Sequence, residues 1–200
     1  MSAARLSDLV QRDLAVDPMI RGITADSRKV EAGWLFAALP GTQMDGRAFI
    51  PAALRAGAAA VLASDDVQGL PAPVVHAIDP RRAYALAAAA FWGSQPKTVV
   101  AVTGTNGKTS VATFCRQVFA ACGRNAASFG TLGVRTARPT GATVVEDQLT
   151  PPGLTTSDAA DLAEMMARLA VEGITHVAMV GLISHSCSQT LTAAAARPRR

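Results

Sequence analysis

The stretch TVVAVTGTNGKTSVATFCRQVFAACG, residues 98–123, opens on a β-branched apolar run, breaks at a glycine-containing turn and resumes as a helical pattern that stops at Gly123. Strand, turn and helix in that order form the first half of a βαβ unit, which predicts an α/β fold. The turn itself, Gly104-Thr105-Asn106-Gly107-Lys108-Thr109-Ser110, stands where a phosphate-binding loop is built. Its glycines permit positive φ and let successive N–H groups aim at phosphate oxygens, while the helix N-terminus adds partial positive charge. Lys108 supplies a compact cation that can follow the β and γ phosphates during transfer, and the Thr109 hydroxyl is placed to coordinate Mg²⁺. The spacing GxxxxGK[ST] is not met, because Val102 occupies the place of its first glycine.

Upstream, LSDLVQRDL reads as a short amphipathic helix, followed by strands around Ile23 and at WLFAAL, the latter stopping at Pro40-Gly41. AFIPAALRAG reads as a helix closed by Gly57, AAVLA and VVHAI as buried strands, and Arg81–Trp92 as an alanine-rich helix. The Gly-, Ser- and Pro-containing GSQPKT is the best linker, so one domain is expected over 1–93 and a second over 97–200. Downstream, AASFGTLGV is a candidate strand and TVVEDQLTPP is extended. SDAADLAEMMARLAVEG is a helix capped by Ser157 and stopped at Gly173, and THVAMVGLI is a buried strand.

Half of the 200 residues are hydrophobic, enough for a real core, and no apolar run approaches the length of about 20 residues that a membrane span needs. The first residues lack an apolar segment with a small-residue cleavage site, so a cytoplasmic protein is expected. Cys115, Cys122 and Cys187 are odd in number and lack CxxC spacing, which argues for buried thiols rather than disulfides or zinc. The net charge of +4 draws three of its charges from the terminal RPRR. With aromatic residues at 4%, base-stacking platforms are scarce and no nucleic-acid partner is expected.

The loop form TGTNGKTS resembles the ATP loop of the Mur ligases and their relative folylpolyglutamate synthetase, enzymes that join an amino acid to an acyl-phosphate. DSRKVEAGWLFAALPGTQMDGRAFIPAALRAGAAAVL resembles the UDP-binding domain of that family, and FGTLGV with LTTSDAADLAEMMARLAVEGITHVAM resembles its central ATPase domain. The flanks are most similar to the member that adds meso-diaminopimelate or lysine to UDP-N-acetylmuramoyl-L-Ala-D-Glu (UDP-MurNAc-L-Ala-D-Glu). The D-alanyl-D-alanine-adding member and a non-catalytic nucleotide-binding fragment are the alternatives.

The fold implied is a small N-terminal UDP-binding α/β domain followed by the first part of a P-loop ATPase domain, in a monomer. The activity implied is ATP- and Mg²⁺-dependent amide-bond formation through an acyl-phosphate. The resemblance makes Ser27 a ligand of the UDP portion, with Thr42 and Gln43 nearby, although each has an ordinary polar reading and Ser27 taken bare is a turn serine. Thr155 and Thr156 match the paired threonines that contact the muramoyl-dipeptide. Read bare, Thr-Thr-Ser is a helix cap, and both uses can hold together.

After HVAM the family pattern runs E-x-S-S-H-x-L-x-Q-x-R, where this chain has VGLISHSCSQTL. Val180 stands at the glutamate that binds magnesium, Ser184, His185 and Gln189 match only after a one-residue shift, and Leu191 stands at the arginine. An apolar valine cannot hold Mg²⁺, so that metal site is expected to be weakened. A truncated or frame-shifted reading from about Val180 is expected, as is an unpaired sheet edge that makes the second half prone to aggregate. His176 and His185 are expected to be ordinary surface or core residues.

Overall fold

The computed structural model describes residues 3–41, 45–130, 133–141, 143–149 and 158–180, and it is an α/β structure whose two main sheets are a four-stranded parallel one and a five-stranded mixed one. Two compact units result, one built on the residues up to Gly93 together with Asp158–Ala160, the other on the residues from Ser94 with the rest of the last helix and strand.

The first unit opens with a two-stranded antiparallel ribbon of β1 (Ala4–Arg5) and β2 (Met19–Ile20) around α1 (Leu6–Val10). Helix α1 is shorter than its apolar pattern suggests, because Gln11 turns into the left-handed region at φ 51° and ends it. Strands β3 (Gly22–Thr24), β4 (Trp34–Ala37), β5 (Ala60–Ala63) and β6 (Val74–His76) then form a parallel sheet in sequence order. All four residues of β5 are buried, as expected for a parallel strand covered on both faces. Phe36, Val61 and Ala63 pack with Ile50 and Ala53 of α2 (Ile50–Arg55). Helix α3 (Pro80–Trp92) also packs on β5, burying Tyr84, Ala85 and Ala88. It starts where the sequence signals it, with Pro80 in its first turn and the Asp79 carboxylate accepting the Arg82 amide at 3.1 Å.

The second unit holds β7 (Thr98–Val102), α4 (Lys108–Ala121), β8 (Ala126–Gly130), β9 (Gly133–Thr140), β10 (Thr143–Gln148), α5 (Ala159–Val171) and β11 (His176–Val180). The strand order is β10-β9-β8-β11-β7, with β8, β11 and β7 parallel and β9 and β10 antiparallel. AASFGTLGV is therefore not one strand: Gly130 pairs with Gly133 and the chain doubles back. Alternation along β11 assigns its faces. Val177 and Met179 join Leu162, Met166 and Leu169 of α5, whereas Ala178 and Val180 join Ala112 of α4. Arg116 of α4 is 1% exposed and donates to Ser128 Oγ at 2.8 Å and Glu146 Oε1 at 3.0 Å, tying the helix to β8 and β10.

Ser157, expected as the cap of α5, lies outside the described residues, as does Cys187. Cys122, at the C-terminal cap of α4, is exposed rather than buried, and Cys115 is half-buried. Among the described residues no helix is long and apolar enough to cross a membrane.

Among the described strands β7 pairs only with β11 and forms the sheet edge, and on α4 Val111, Phe114 and Val118 are 47%, 61% and 59% exposed at helical spacing. An apolar stripe of this kind promotes association. Phe114→Lys is expected to lower self-association measured by light scattering without lowering Tm; equal scattering from variant and parent would rule the stripe out as the cause.

Candidate functional site

The loop after β7 is positioned by the sheet. Val102 pairs with Val180 at the carboxyl end of the parallel pair, and the chain then turns through Gly104 (φ 139°) and Gly107 (φ 74°) into the first turn of α4. No side chain crowds either glycine, so the requirement for glycine is conformational. Gly107 is the N-cap of α4 and supplies no side-chain cap; its carbonyl accepts the Val111 amide at 2.9 Å, beginning the helical ladder. The leading amides of α4 therefore meet solvent at an exposed loop, with the helix dipole behind them. Lys108 Nζ donates to Gly104 O at 2.6 Å and Thr105 O at 3.2 Å, so its ammonium lies over the loop rather than away from it.

Thr109 is half-buried and shares a small pocket with Thr113, Ser128, Arg135 and Val180. Its hydroxyl is a hard oxygen donor, whereas Val180 presents only methyl groups. Magnesium takes few protein ligands when phosphates and waters supply the others, so the donors here fit one protein contact to the ion. Among the described residues no group of three His, Cys, Asp or Glu side chains is placed to hold a metal. His176 pairs with Thr98 at the opposite end of β11 and β7 from the loop, and burial holds its imidazole below the usual range. It takes no part in this site.

In the first unit the turn after β3 builds a second candidate site, again at the carboxyl end of a parallel strand. Thr24 Oγ1 accepts the Asp26 amide at 3.0 Å, and Asp26 caps the single turn Ser27–Lys29. Both Asp26 oxygens are engaged by Arg28, through its amide and Nε on one side and Nη2 at 2.7 Å on the other. Those hydrogen bonds hold the Asp26 carboxyl down at about 2. Ser27 is half-buried and lines a cleft of about 570 Å³ with Ala25, Asp26, Arg28, Phe49 and Asp158. Gly46, in the same region of sequence, packs so closely that a Cβ would lie 2.6 Å from Leu39 O.

Thr42, Gln43, Thr155, Thr156, Ser184, His185 and Gln189 lie outside the described residues. Asp158 and Phe49 escaped the sequence reading. Asp158 follows a Thr-Thr-Ser run and looks like an acid at a helix start; nothing local connects it to Ser27.

The Mur ligase family catalytic-domain model matches residues 19–108 and the Mur ligase middle-domain model matches residues 102–198. The chain belongs to the Mur ligase family. It is 63% identical over 176 residues to the UDP-N-acetylmuramoyl-L-alanyl-D-glutamate--2,6-diaminopimelate ligase of Caulobacter vibrioides, covering 88% of this chain and 36% of that protein. The ligase of the same name from Brucella melitensis is 48% identical over 162 residues, 80% of this chain and 31% of that one. A solved structure of a ligase of that name matches with a TM-score of 0.74 at 25% identity, covering 95% of this chain and 38% of the other. The MurF ligase of Thermotoga maritima in complex with ADP shares the fold, with a TM-score of 0.52 at 19% identity over 87% of this chain and 35% of that one. The chain thus spans about a third of the length of the curated Mur ligases it matches. The middle-domain match runs past Val180, where the motif reading has the family agreement stop.

The Asp26 carboxyl lies below its ordinary value of 3.8, so it stabilises the folded chain above that pH and loses the contribution as pH falls toward about 2. Asp26→Asn is expected to be less stable than the parent near neutrality, with the gap closing as the pH falls through that window. Denaturant titrations at stepped pH check this; a gap independent of pH would contradict it.

Proposed function

We propose that this chain supplies the nucleotide-sugar cleft and the ATP loop of a cytoplasmic, monomeric ligase that adds meso-diaminopimelate to UDP-MurNAc-L-Ala-D-Glu in peptidoglycan precursor synthesis. The observation that carries the reading is the glycine-flanked loop at the carboxyl end of β7, with Lys108 folded over it, in a chain 63% identical to a diaminopimelate-adding ligase. The proposed domains are 1–93 for the UDP moiety and 97–200 for the beginning of the ATPase portion.

In this reading Gly104–Ser110 bind ATP. The amides of the loop and of the first turn of α4 receive the phosphate oxygens, and the Lys108 ammonium leaves the carbonyls of Gly104 and Thr105 for the β and γ phosphates. The muramoyl-dipeptide's terminal carboxylate takes the γ-phosphoryl group, and an amine then displaces phosphate to leave an amide. Two anions must approach for the first step, and a fixed cation at Lys108 offsets their repulsion. Bound Mg²⁺ would neutralise phosphate charge, held by the Thr109 hydroxyl. Ser27, Thr42 and Gln43 are assigned to the UDP portion, and Thr155 and Thr156 to the muramoyl-dipeptide. Val180 offers no oxygen at the place of the family's glutamate, which favours a weakly held metal and supports a binding-competent, ligation-poor chain as the second reading.

Calorimetric titration with UDP-MurNAc-L-Ala-D-Glu and, separately, Mg-ATP tests the assignment. Lys108→Ala is expected to weaken Mg-ATP roughly 10- to 100-fold, the worth of a charge-assisted contact, and to leave the muramoyl-dipeptide affinity unchanged. A folded sample that binds neither ligand would overturn the reading.

A further inference from the structure

Helix α4 covers one face of the second unit's sheet, and the arginines around it differ in what they are bonded to. The Ser128 hydroxyl accepts from Arg116 of α4 at 2.8 Å, so Ser128 points to the α4 side of β8. Arg135 of β9 stands directly across from Ser128, whereas its neighbour Val134 packs with α5, so Arg135 shares the α4 side. Arg116 is also paired with Glu146 at 3.0 Å, and Arg138 is paired with Glu172 at 3.1 Å. Arg135 is half-buried, and among the described residues its guanidinium is bonded to no carboxylate, hydroxyl or carbonyl.

Resting on the proposed function, we infer that Arg135 is a phosphate-binding residue of the ATP loop and contacts the terminal phosphate. Its location is the first support. Arg135 lines the same small pocket as Thr109 and Thr113 of α4 and Val180 of β11. Thr109 follows Lys108 at the end of the loop, and Val180 pairs with Val102, from which the loop departs. Arg135 therefore reaches the loop from β9, a strand that the loop motif does not include. The pocket measures about 10 Å³, room for one oxygen-sized group, so the guanidinium meets the edge of a phosphate there and not a base or a ribose.

Charge is the second support. Arg116 and Glu146 offset each other, so Arg135 leaves this side of the sheet positive beside a loop whose amides and Lys108 also favour an anion. A partly desolvated cation is costly until an anion joins it, and here the nucleotide brings one. A guanidinium fork fits two oxygens of one phosphate, whereas the Lys108 ammonium is a point charge. The terminal phosphate is the one with three non-bridging oxygens, enough to meet a fork and a point charge together. Lys108 then spans the β and γ phosphates while Arg135 holds the γ oxygens, over which charge is spread during transfer.

Calorimetry on the full chain compares Mg-ATP with Mg-ADP, which lacks the terminal phosphate. Arg135→Gln is expected to weaken Mg-ATP roughly tenfold and Mg-ADP by less than about twofold, with the muramoyl-dipeptide unaffected, while Arg138→Gln binds all three like the parent. An Arg135→Gln chain that binds Mg-ATP like the parent, or that loses Mg-ATP and Mg-ADP equally, would overturn the inference and leave the proposed function standing. A second readout uses the parent and so does not depend on a variant folding. An arginine-specific dicarbonyl reagent, followed by peptide mass spectrometry, is expected to modify Arg135 in the free chain and to be blocked there by Mg-ATP, and less by Mg-ADP. An Arg135 that reacts equally with and without bound Mg-ATP, or that does not react in the free chain, would overturn the inference. A folded parent chain that binds no Mg-ATP would overturn the proposed ATP loop along with it.

Discussion

Two parallel strands cannot be joined by a tight turn; the chain must leave one strand, cross a face of the sheet and return to the same end. The placement of the helices and of both candidate sites follows from that constraint. Crossovers place helices on the sheet faces, which is why β5 is buried throughout and why β11 divides its side chains between α4 and α5. The same crossovers leave the irregular segments at the carboxyl ends of strands, where backbone amides are not used by the sheet. Both candidate sites arise there, one after β3 at Ala25–Lys29 and one after β7 at Gly104–Gly107. Ligand sites of open α/β sheets belong at these ends.

The two turns use the position differently. The loop after β7 is open and glycine-determined, with a lysine that donates to loop carbonyls, so what it offers is main-chain dipoles and one cation. The turn after β3 is closed by side chains, with Asp26 clamped by Arg28 and Asp158 held by Tyr84.

Much of this was legible in the sequence because the relevant residues are contiguous. Strand, glycine turn and helix occur within residues 98–123, and the apolar run followed by Gly and Lys permits few readings. The α/β class followed from the alternation of such runs. The reversal at Gly130 and Gly133 is hard to read, since the two glycines of AASFGTLGV are parted by only two residues and β9 continues through Arg135 and Pro139, residues that argue weakly for a strand. Pro139 is tolerated in a strand that loses only the N–H it cannot offer. Cys122 reads as buried because small residues flank it in sequence, whereas it is exposed at the end of α4. The bond between Tyr84 and Asp158 could not be seen at all: 74 positions separate the pair, and each residue has an ordinary local reading.

On the proposed reading one chain carries two separate ligand sites, each at the carboxyl end of parallel strands in its own sheet. Peptide-resolved hydrogen exchange on the intact chain tests it most directly. UDP-MurNAc-L-Ala-D-Glu is predicted to slow exchange across 22–30 and Mg-ATP across 102–112, each leaving the other segment as it was. Protection of a single common segment by both ligands, or of neither segment by ligands that bind, would contradict it.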